Sequence, residues 1–382
     1  MLVRCLAMMR GGGETRHLAW MRELTALGVD VDVITGRPLW LGGQKHPVTG
    51  VKATVLRSPY LRDAVYRWQH TRGFGRLTMT ALHVDEEWFC RAAWRQISER
   101  SHPPDIVHAH ALYQAARLRR ANIPVVINFP GAPNVRYHAD IQQADALVAD
   151  GWAAANLPGM LGRTVHAVPK GVDAQLFRPD GPSRRAELGL ADRRVVLSVG
   201  RFVPIKNMAL LVEAAAHLRQ ADPAIHVLLV GEGPEEEALR HRVAHLGLTD
   251  AVTFAGYVPQ EDMGPYYRAA DVFALASDFD NSPNVVLEAM ACGLPVVATD
   301  VGGASEYVMA DRGGTLVDRG DACMLARALG SWLGDDGRSR DAGAFNRQRV
   351  LERFSWRASA QRLLDVYVEV LAGRTATARA SA

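Results

Sequence analysis

The chain has 382 residues, 48% of them hydrophobic and 22% charged, with a net charge of +3. These proportions suit a soluble protein of two domains, or one very large one, and exclude a disordered, collagen-like or coiled-coil chain. No apolar run approaches the roughly 18 residues of a membrane span, and the start MLVRCLAMMRGGG has no long apolar region before a small-residue cleavage site, so a cytoplasmic location is expected. Cys5, Cys90, Cys292 and Cys323 stand far apart with no C-x-x-C pair, which reads as separate buried thiols, not as a disulfide framework or zinc knuckle.

The first predicted strand is LVRCLAMM (2–9), followed by the amphipathic helix ETRHLAWMRELTALG (14–28), whose Gly28 suits a stop, and the strand VDVDVIT (29–35). GGGE (11–14) opens that helix, where backbone N–H groups and the helix dipole suit a phosphate. Gly11, Gly13 and Arg16 put an arginine at the last position of G-x-G-x-x-G, so the dinucleotide fingerprint is not met. Residues 40–100 show no clear period. Within them Lys52, Arg57, Arg62, Arg67, Arg72 and Arg76 face one acid, Asp63, a local excess suited to phosphates or an anionic membrane surface. Tyr60, Tyr66, Trp68 and Phe74 interleave aromatic faces suited to sugar rings. Asp85, Glu86 and Glu87 follow as an acidic cluster that would suit a cationic acceptor.

Further strands are predicted at DIVHAH (105–110), IPVVINF (123–129), ALVAD (146–150) and TVHAVP (164–169). His108 and His110 alternate to one face of their strand, a pattern shared by a two-histidine metal site and by hydrogen-bonded core histidines. The segment RPDGPSRRAELGLADRR (178–194) reads as a linker with a domain boundary near 180. Charge changes sign there: residues 1–180 carry 22 Lys+Arg against 15 Asp+Glu, residues 181–382 carry 22 against 26.

A second alternation follows, with strands at VVLSVG (195–200), IHVLLVG (225–231), VTFAG (252–256), VFALAS (272–277) and PVVATD (295–300), the sign of another parallel α/β sheet. GRFVPIKN (200–207) leaves its strand through Gly200 and puts Arg201 and Lys206 in the next loop, two cations that suit a diphosphate. GEGPEE (231–236) fits neither a dinucleotide fingerprint nor a P-loop. In SDFDNSPNVVLEAMACGLPVVATD (277–300), Pro283 and Gly293 bracket a helix, leaving Asp280 in the loop and Glu288 on the helix. Both carboxylates can accept hydrogen bonds from sugar and ribose hydroxyls.

GRFVPIKN, GEGPEEE, VTFAGYV and DNSPNVVLEAMACGLPVVATDVGG resemble successive motifs of the family 4 retaining glycosyltransferases of the GT-B fold. The likeness covers nearly the whole chain through GGGETRHL, PDIVHAH, PKGVDAQLFRP (169–179) and FSWRASAQRLLDVYVEVL (354–371), the last similar to the family's closing helix. It implies an α/β protein of two Rossmann-like domains facing each other across a cleft. Residues 1–180 would bind the acceptor and 181–354 the nucleotide sugar, with 355–372 as the closing helix and 373–382 a disordered tail.

Residue by residue, the resemblance puts Arg201 and Lys206 on the donor diphosphate, Asp280 on the transferred sugar and His110 beside that sugar and the acceptor. It puts Glu288 on the ribose, Gly12 and Gly13 at the phosphates or acceptor, and Tyr257 and Val258 at the base. Gly200, Asn281, Ser282, Pro283 and Asn284 complete the donor site. The family's E-x(7)-E motif usually has glutamate at both ends, so Asp280 is one methylene shorter. Lys170 stands where asparagine is common.

The implied activity is sugar transfer from a nucleotide diphosphate, UDP being the expected base, to a hydroxyl of a glycan, lipid-linked or small-molecule acceptor. Metal independence, peripheral contact with the inner membrane face and no nucleic-acid partner are expected with it. A nucleotide-sugar epimerase and an inactive nucleotide-sugar-binding subunit are the rival readings. Nucleotide release that requires acceptor separates the three.

Overall fold

Short β-branched runs alternating with helices fold, in a computed structural model, into two parallel α/β units; the structure describes residues 1–6, 8, 12–39, 48, 50–60 and 75–380. The first unit comprises Met1–Pro169 and Ser359–Ala382, the second Lys170–Ala358. Among the described residues no helix is long and apolar enough to cross a membrane.

In the first unit, β1 (Asp32–Pro38) pairs with β2 (Lys52–Ser58), and β3 (Val107–His110), β4 (Val125–Phe129), β5 (Ala146–Ala149) and β6 (His166–Ala167) pair in that order. Leu2 bridges Ile34 of β1 and Ala109 of β3, so the pieces form one parallel sheet. The strand predicted over 2–9 is cut to this bridge, because Leu6 and Met8 donate back to the carbonyls of Val3 and Cys5 and turn the chain. The helix Gly12–Ala26 follows, and Gly28 takes φ +87° just after it. A long helix, Gly75–Ser98, buries Phe89, Trp94 and Ile97 against Ile34, Val107 and Ile127 of the sheet.

The second unit holds β7 (Arg194–Val199), β8 (Ile225–Val230), β9 (Val252–Phe254), β10 (Val272–Leu275), β11 (Val296–Thr299) and β12 (Gly314–Val317). Their order is β12-β11-β10-β7-β8-β9, all parallel. Counted from β7 this is 3-2-1-4-5-6, the dinucleotide-fold order whose direction reverses between the first and fourth strands. Helices cover both faces, which explains why β8 is buried along its whole length. One face packs Leu211, Leu325, Leu329 and Trp332, the other Phe177, Tyr267, Leu287 and Met290.

The unit boundary falls at Pro169 rather than near 180. Residues 170–180 belong to the second unit because Val172 and Phe177 are buried in its core and Lys170 donates to the Ser282 carbonyl at 2.8 Å. The last helix runs Trp356–Ala380, so the tail predicted to be disordered continues a helix as far as Ala380, and 381–382 lie outside the described residues. Its Ala and Arg residues are good helix formers, and extending a formed helix is far easier than starting one. Cys90 and Cys292 are buried, as expected, but Cys323 is exposed.

Candidate active site

At the reversal point of the second sheet, the loops leaving β7 and β10 part to opposite faces and leave a crevice at the strands' carboxyl ends. The β7 loop carries Arg201 and Lys206, the β10 loop Asp280. Lys206 Nζ donates to Asp280 Oδ2, so the two side chains assigned to diphosphate and sugar are paired with each other. Arg201 is exposed.

Backbone and amide contacts fix the two loops together. Asp278 N–H donates to the Ile205 carbonyl at 2.9 Å, and Asn207 Nδ2 to Asp278 Oδ1 at 3.1 Å. Asn207, at φ +45°, also accepts from Leu210 N–H and so caps the helix Met208–Ala221. Glycine is required where backbones meet: a Cβ on Gly231 would lie 2.0 Å from the Gly200 carbonyl oxygen, and one on Gly302 1.8 Å from that of Asp280.

A cavity of about 520 Å³ opens between the loops after β7, β8 and β9, lined by Gly200, Arg201, Gly233, Val258, Gln260 and Glu288 among others. Tyr257 lies on its rim with 68% of its surface exposed. The helix Asn284–Ala291 starts directly after Pro283 and carries Glu288 inward. Glu288 Oε2 accepts from Tyr267 O–H at 2.7 Å and Oε1 from Gln260 Nε2 at 3.3 Å. Burial raises its pKa, and the two donors act in the opposite direction. Tyr267 and Gln260 are site residues that local sequence patterns do not reveal, since each lies more than a helix away along the chain.

The donor-loop residues divide. Ser282 is buried with its hydroxyl bonded to Tyr307, and its N–H donates to Asp280 Oδ1 at 3.2 Å. The Ser282 side chain therefore anchors the loop and faces the interior. Pro283 is buried, while Asn281 and Asn284 are half-buried beside it.

The first unit has its own reversal point, between the Leu2 segment and β3, and there Gly13 and His110 meet. A Cβ on Gly13 would lie 2.7 Å from His110 Nε2. His110 Nδ1 is 2.9 Å from Asn128 Oδ1, and the His17 ring lies 4.3 Å from the His110 ring. His17 Nδ1 bonds the Gly13 carbonyl at 2.7 Å, while His108 bonds Tyr367 O–H at 2.8 Å. Below them Arg16 pairs with Asp150, both buried, at 2.5 Å. Gly12 begins this helix, and Gly11 lies outside the described residues. Among the described residues no group of three or more His, Cys, Asp or Glu could hold a metal ion.

The acidic cluster does not form one surface. Asp85 is fully buried beside Arg4 at 4.0 Å, Glu86 is buried on the Gln114 N–H at 2.7 Å, and Glu87 pairs with Arg91 on the outside. Helical geometry explains the split, since successive residues are 100° apart. Of the basic and aromatic stretch, Arg62, Tyr66, Arg67, Trp68, Arg72 and Phe74 lie outside the described residues.

These buried groups predict acid sensitivity. Burial foremost holds His17 and His108 well below the ordinary imidazole value of 6.5, and pushes Glu86 up from 4.5 to about 7. As pH falls through 6.5 the unfolded chain gains protons at His17 and His108, and at His226, held at about 4, before the folded chain does, whereas folded Glu86 takes its proton before the unfolded chain. The histidines outnumber Glu86, so stability falls as pH falls. Urea midpoints against pH should show this, with Glu86→Gln steepening the upper part; midpoints flat from pH 7 to 5 would refute it.

Residues 182–349 match the family model for glycosyl transferases group 1, and residues 11–157 that for the glycosyl transferase 4-like domain. The D-inositol 3-phosphate glycosyltransferase of Acidothermus cellulolyticus is 33% identical over 96% of this chain and 88% of its own length. The chain belongs to the group 1 glycosyltransferases. This glycosyltransferase is also 36% identical to the GDP-mannose-dependent alpha-(1-6)-phosphatidylinositol monomannoside mannosyltransferase of Mycolicibacterium smegmatis, over 54% of the chain and 56%, little more than half, of that relative. Sucrose-phosphate synthase from Thermosynechococcus elongatus matches with a TM-score of 0.77 at 23% identity, covering 97% of this chain and 98% of the other. Anabaena HepE in complex with UDP-glucose matches at 0.71 and 20%, covering 96% and 98%. The glycosyltransferase thus has the two-domain GT-B fold.

Proposed function

We propose that this glycosyltransferase moves a sugar, with retention of anomeric configuration, from a nucleoside diphosphate held in the second unit to a hydroxyl of an acceptor held by the first. The observation that carries this reading is one cavity beside the sheet's reversal point that joins a cation, Arg201, with a buried carboxylate, Glu288; the β7 loop that carries Arg201 also carries Lys206, which is paired with Asp280 of the β10 loop. Arg201 and Lys206 meet the charge that grows on the departing diphosphate. A phosphate oxygen of that group takes the acceptor proton as the new glycosidic bond forms on the face the phosphate leaves. Asp280, released from Lys206, accepts from sugar hydroxyls.

The relatives from Acidothermus and Mycolicibacterium are both named for acceptors that contain inositol and phosphate. We assign this chain an acceptor of that class, free or lipid-linked. For the donor, the family resemblance favours UDP, whereas the mycolicibacterial relative is named for GDP-mannose. Thermal stabilisation by a panel of UDP- and GDP-sugars distinguishes the two, because a ligand of the native state raises the midpoint by mass action. The deciding experiment measures nucleotide release with and without inositol phosphate, and the anomeric configuration of the product by NMR. Release independent of acceptor, or an inverted product, would overturn the proposal.

Glu288→Gln should weaken donor binding by about 1–3 kcal/mol, because an NH2 group that only donates replaces one of the two acceptor oxygens that Tyr267, Gln260 and a ribose hydroxyl would share. Calorimetry with the nucleoside diphosphate measures it, and unchanged affinity would remove Glu288 from the site. With charge handled by Arg201 and Lys206, turnover should persist in excess chelator; loss that magnesium or manganese restores would show that these cations do not suffice.

A further inference from the structure

Lys170 is the first residue of the second unit, and the residues after it are pinned to that unit's own backbone. Val172 bridges Ser355 in parallel, and its N–H donates to the Phe354 carbonyl at 2.8 Å. A Cβ on Gly171 would lie 2.5 Å from the Trp356 nitrogen, so glycine alone lets the two main chains come this close. From this fixed base the half-buried Lys170 side chain reaches a residue 112 positions away, Ser282.

Ser282 belongs to the turn that carries Asp280, and each of its polar groups is held. Its N–H donates to Asp280 Oδ1 at 3.2 Å, its hydroxyl is bonded to Tyr307, and its carbonyl accepts from Lys170 Nζ at 2.8 Å. Backbone groups take the carbonyls to either side: Gly303 N–H donates to that of Asp280 at 2.8 Å, and Val286 N–H to that of Pro283 at 3.2 Å. Because residue 283 is proline, the peptide between Ser282 and Pro283 has no N–H and is oriented through its oxygen alone. An ammonium donor makes that one bond stronger than an amide donor would.

We propose that Lys170 is a positioning residue for the transferred sugar: by holding the Ser282 carbonyl it fixes the 280–283 turn, and so governs affinity for the sugar half of the donor and not for the nucleotide half. The nucleotide half has its own supports, since Arg201 stands on the β7 loop and Glu288 is held separately by Tyr267 and Gln260. The inference rests on the reading of Asp280 as a sugar contact; the fixing of the turn does not.

Two measurements on the intact chain separate these levels. Hydrogen exchange without ligand reads the turn. Lys170→Met keeps a long side chain and removes the donor, so the amides of Asn281, Ser282, Asn284 and Val285 should exchange about 10-fold faster, with β10 and residues 286–291 unchanged. Lys170→Arg keeps a charged donor and should exchange as the parent does. Parental exchange in Lys170→Met would overturn the inference whatever the activity. Calorimetry then compares UDP with UDP-glucose and GDP with GDP-mannose. For the pair that the parent binds, Lys170→Met should weaken the sugar nucleotide about 10-fold and the diphosphate less than about twofold, and Lys170→Arg should restore both. Equal weakening of sugar nucleotide and diphosphate in a folded Lys170→Met would refute positioning of the sugar and leave a structural role only. Faster exchange with unchanged affinity for the sugar nucleotide would also refute it, and with it the sugar contact of Asp280. A parent that binds neither diphosphate would instead defeat the donor reading, while the exchange result still decides whether Lys170 fixes the turn.

Discussion

Arg201→Ala and Lys206→Ala each lower kcat about 100-fold or more, the loss that follows when a donor to transition-state charge is removed. The two variants should differ in a second measurement. Arg201 is exposed at the cavity lip, so its truncation leaves the thermal midpoint near that of the parent. Lys206 holds Asp280, and its loss leaves a half-buried carboxylate without its cation. Lys206→Ala should therefore also lower the midpoint, and Asp280→Asn in the same chain should restore the midpoint without restoring kcat. Near-normal turnover in both single variants would remove the cation pair from the mechanism.

Gly231→Ala is expected to damage the second unit severely. Its backbone stands at φ +138°, and the added carbon would lie 2.0 Å from the Gly200 carbonyl oxygen, a main-chain atom with no rotamer to relieve it. Gly231 N–H is bonded to the Gly256 carbonyl and Gly200 N–H to that of Val230, so neither strand end can move alone. The cost should exceed about 3 kcal/mol, lowering the midpoint by roughly 6–12 °C for a unit of this size, and donor binding should be lost with the cavity floor. Gly247→Ala is the control: Gly247 also has positive φ, +67°, but nothing lies within 4 Å of its added carbon. It should cost only the conformational strain, about 1–2 kcal/mol. Equal shifts in the two variants would show that the close approach is not what constrains Gly231.

The sequence was most legible where local chemistry decides conformation. VVLSVG, IHVLLVG and VFALAS are long apolar runs between helices, and they are strands of the second sheet. Pro283 and Gly293 bracket a short helix, and the placement of Asp280 in the loop and Glu288 on that helix followed from them. Two strands went unread for opposite reasons. β2, KATVLRS, is a largely exposed edge strand with a charge at each end of its apolar centre, and β12, GTLV, is only four residues long.

What the sequence could not show is what pairs across it. Glu288 receives hydrogen bonds from residues 21 and 28 positions away, and His110 Nδ1 meets the amide oxygen of Asn128, 18 positions away, a pairing set by strand register. The boundary was misplaced because linker composition at 178–194 is visible, while the packing of Phe177 against Tyr267 is not. The acidic run 85–87 looked like one patch because sequence adjacency hides the turn of the helix.

The order of the second sheet also governs how the site comes into being as the chain is made. β7 is its innermost early strand, and its far side is covered only when β10 arrives, pairing Val272 with Val196 and Phe273 with Leu197. A chain interrupted before residue 272 leaves RVVLSV as an open apolar edge, ready to pair with another molecule. Such parallel, long-range pairing is slow to form. Lys206 has no Asp280 to meet until it is complete, so added nucleotide sugar would protect the finished unit but could not guide the nascent one.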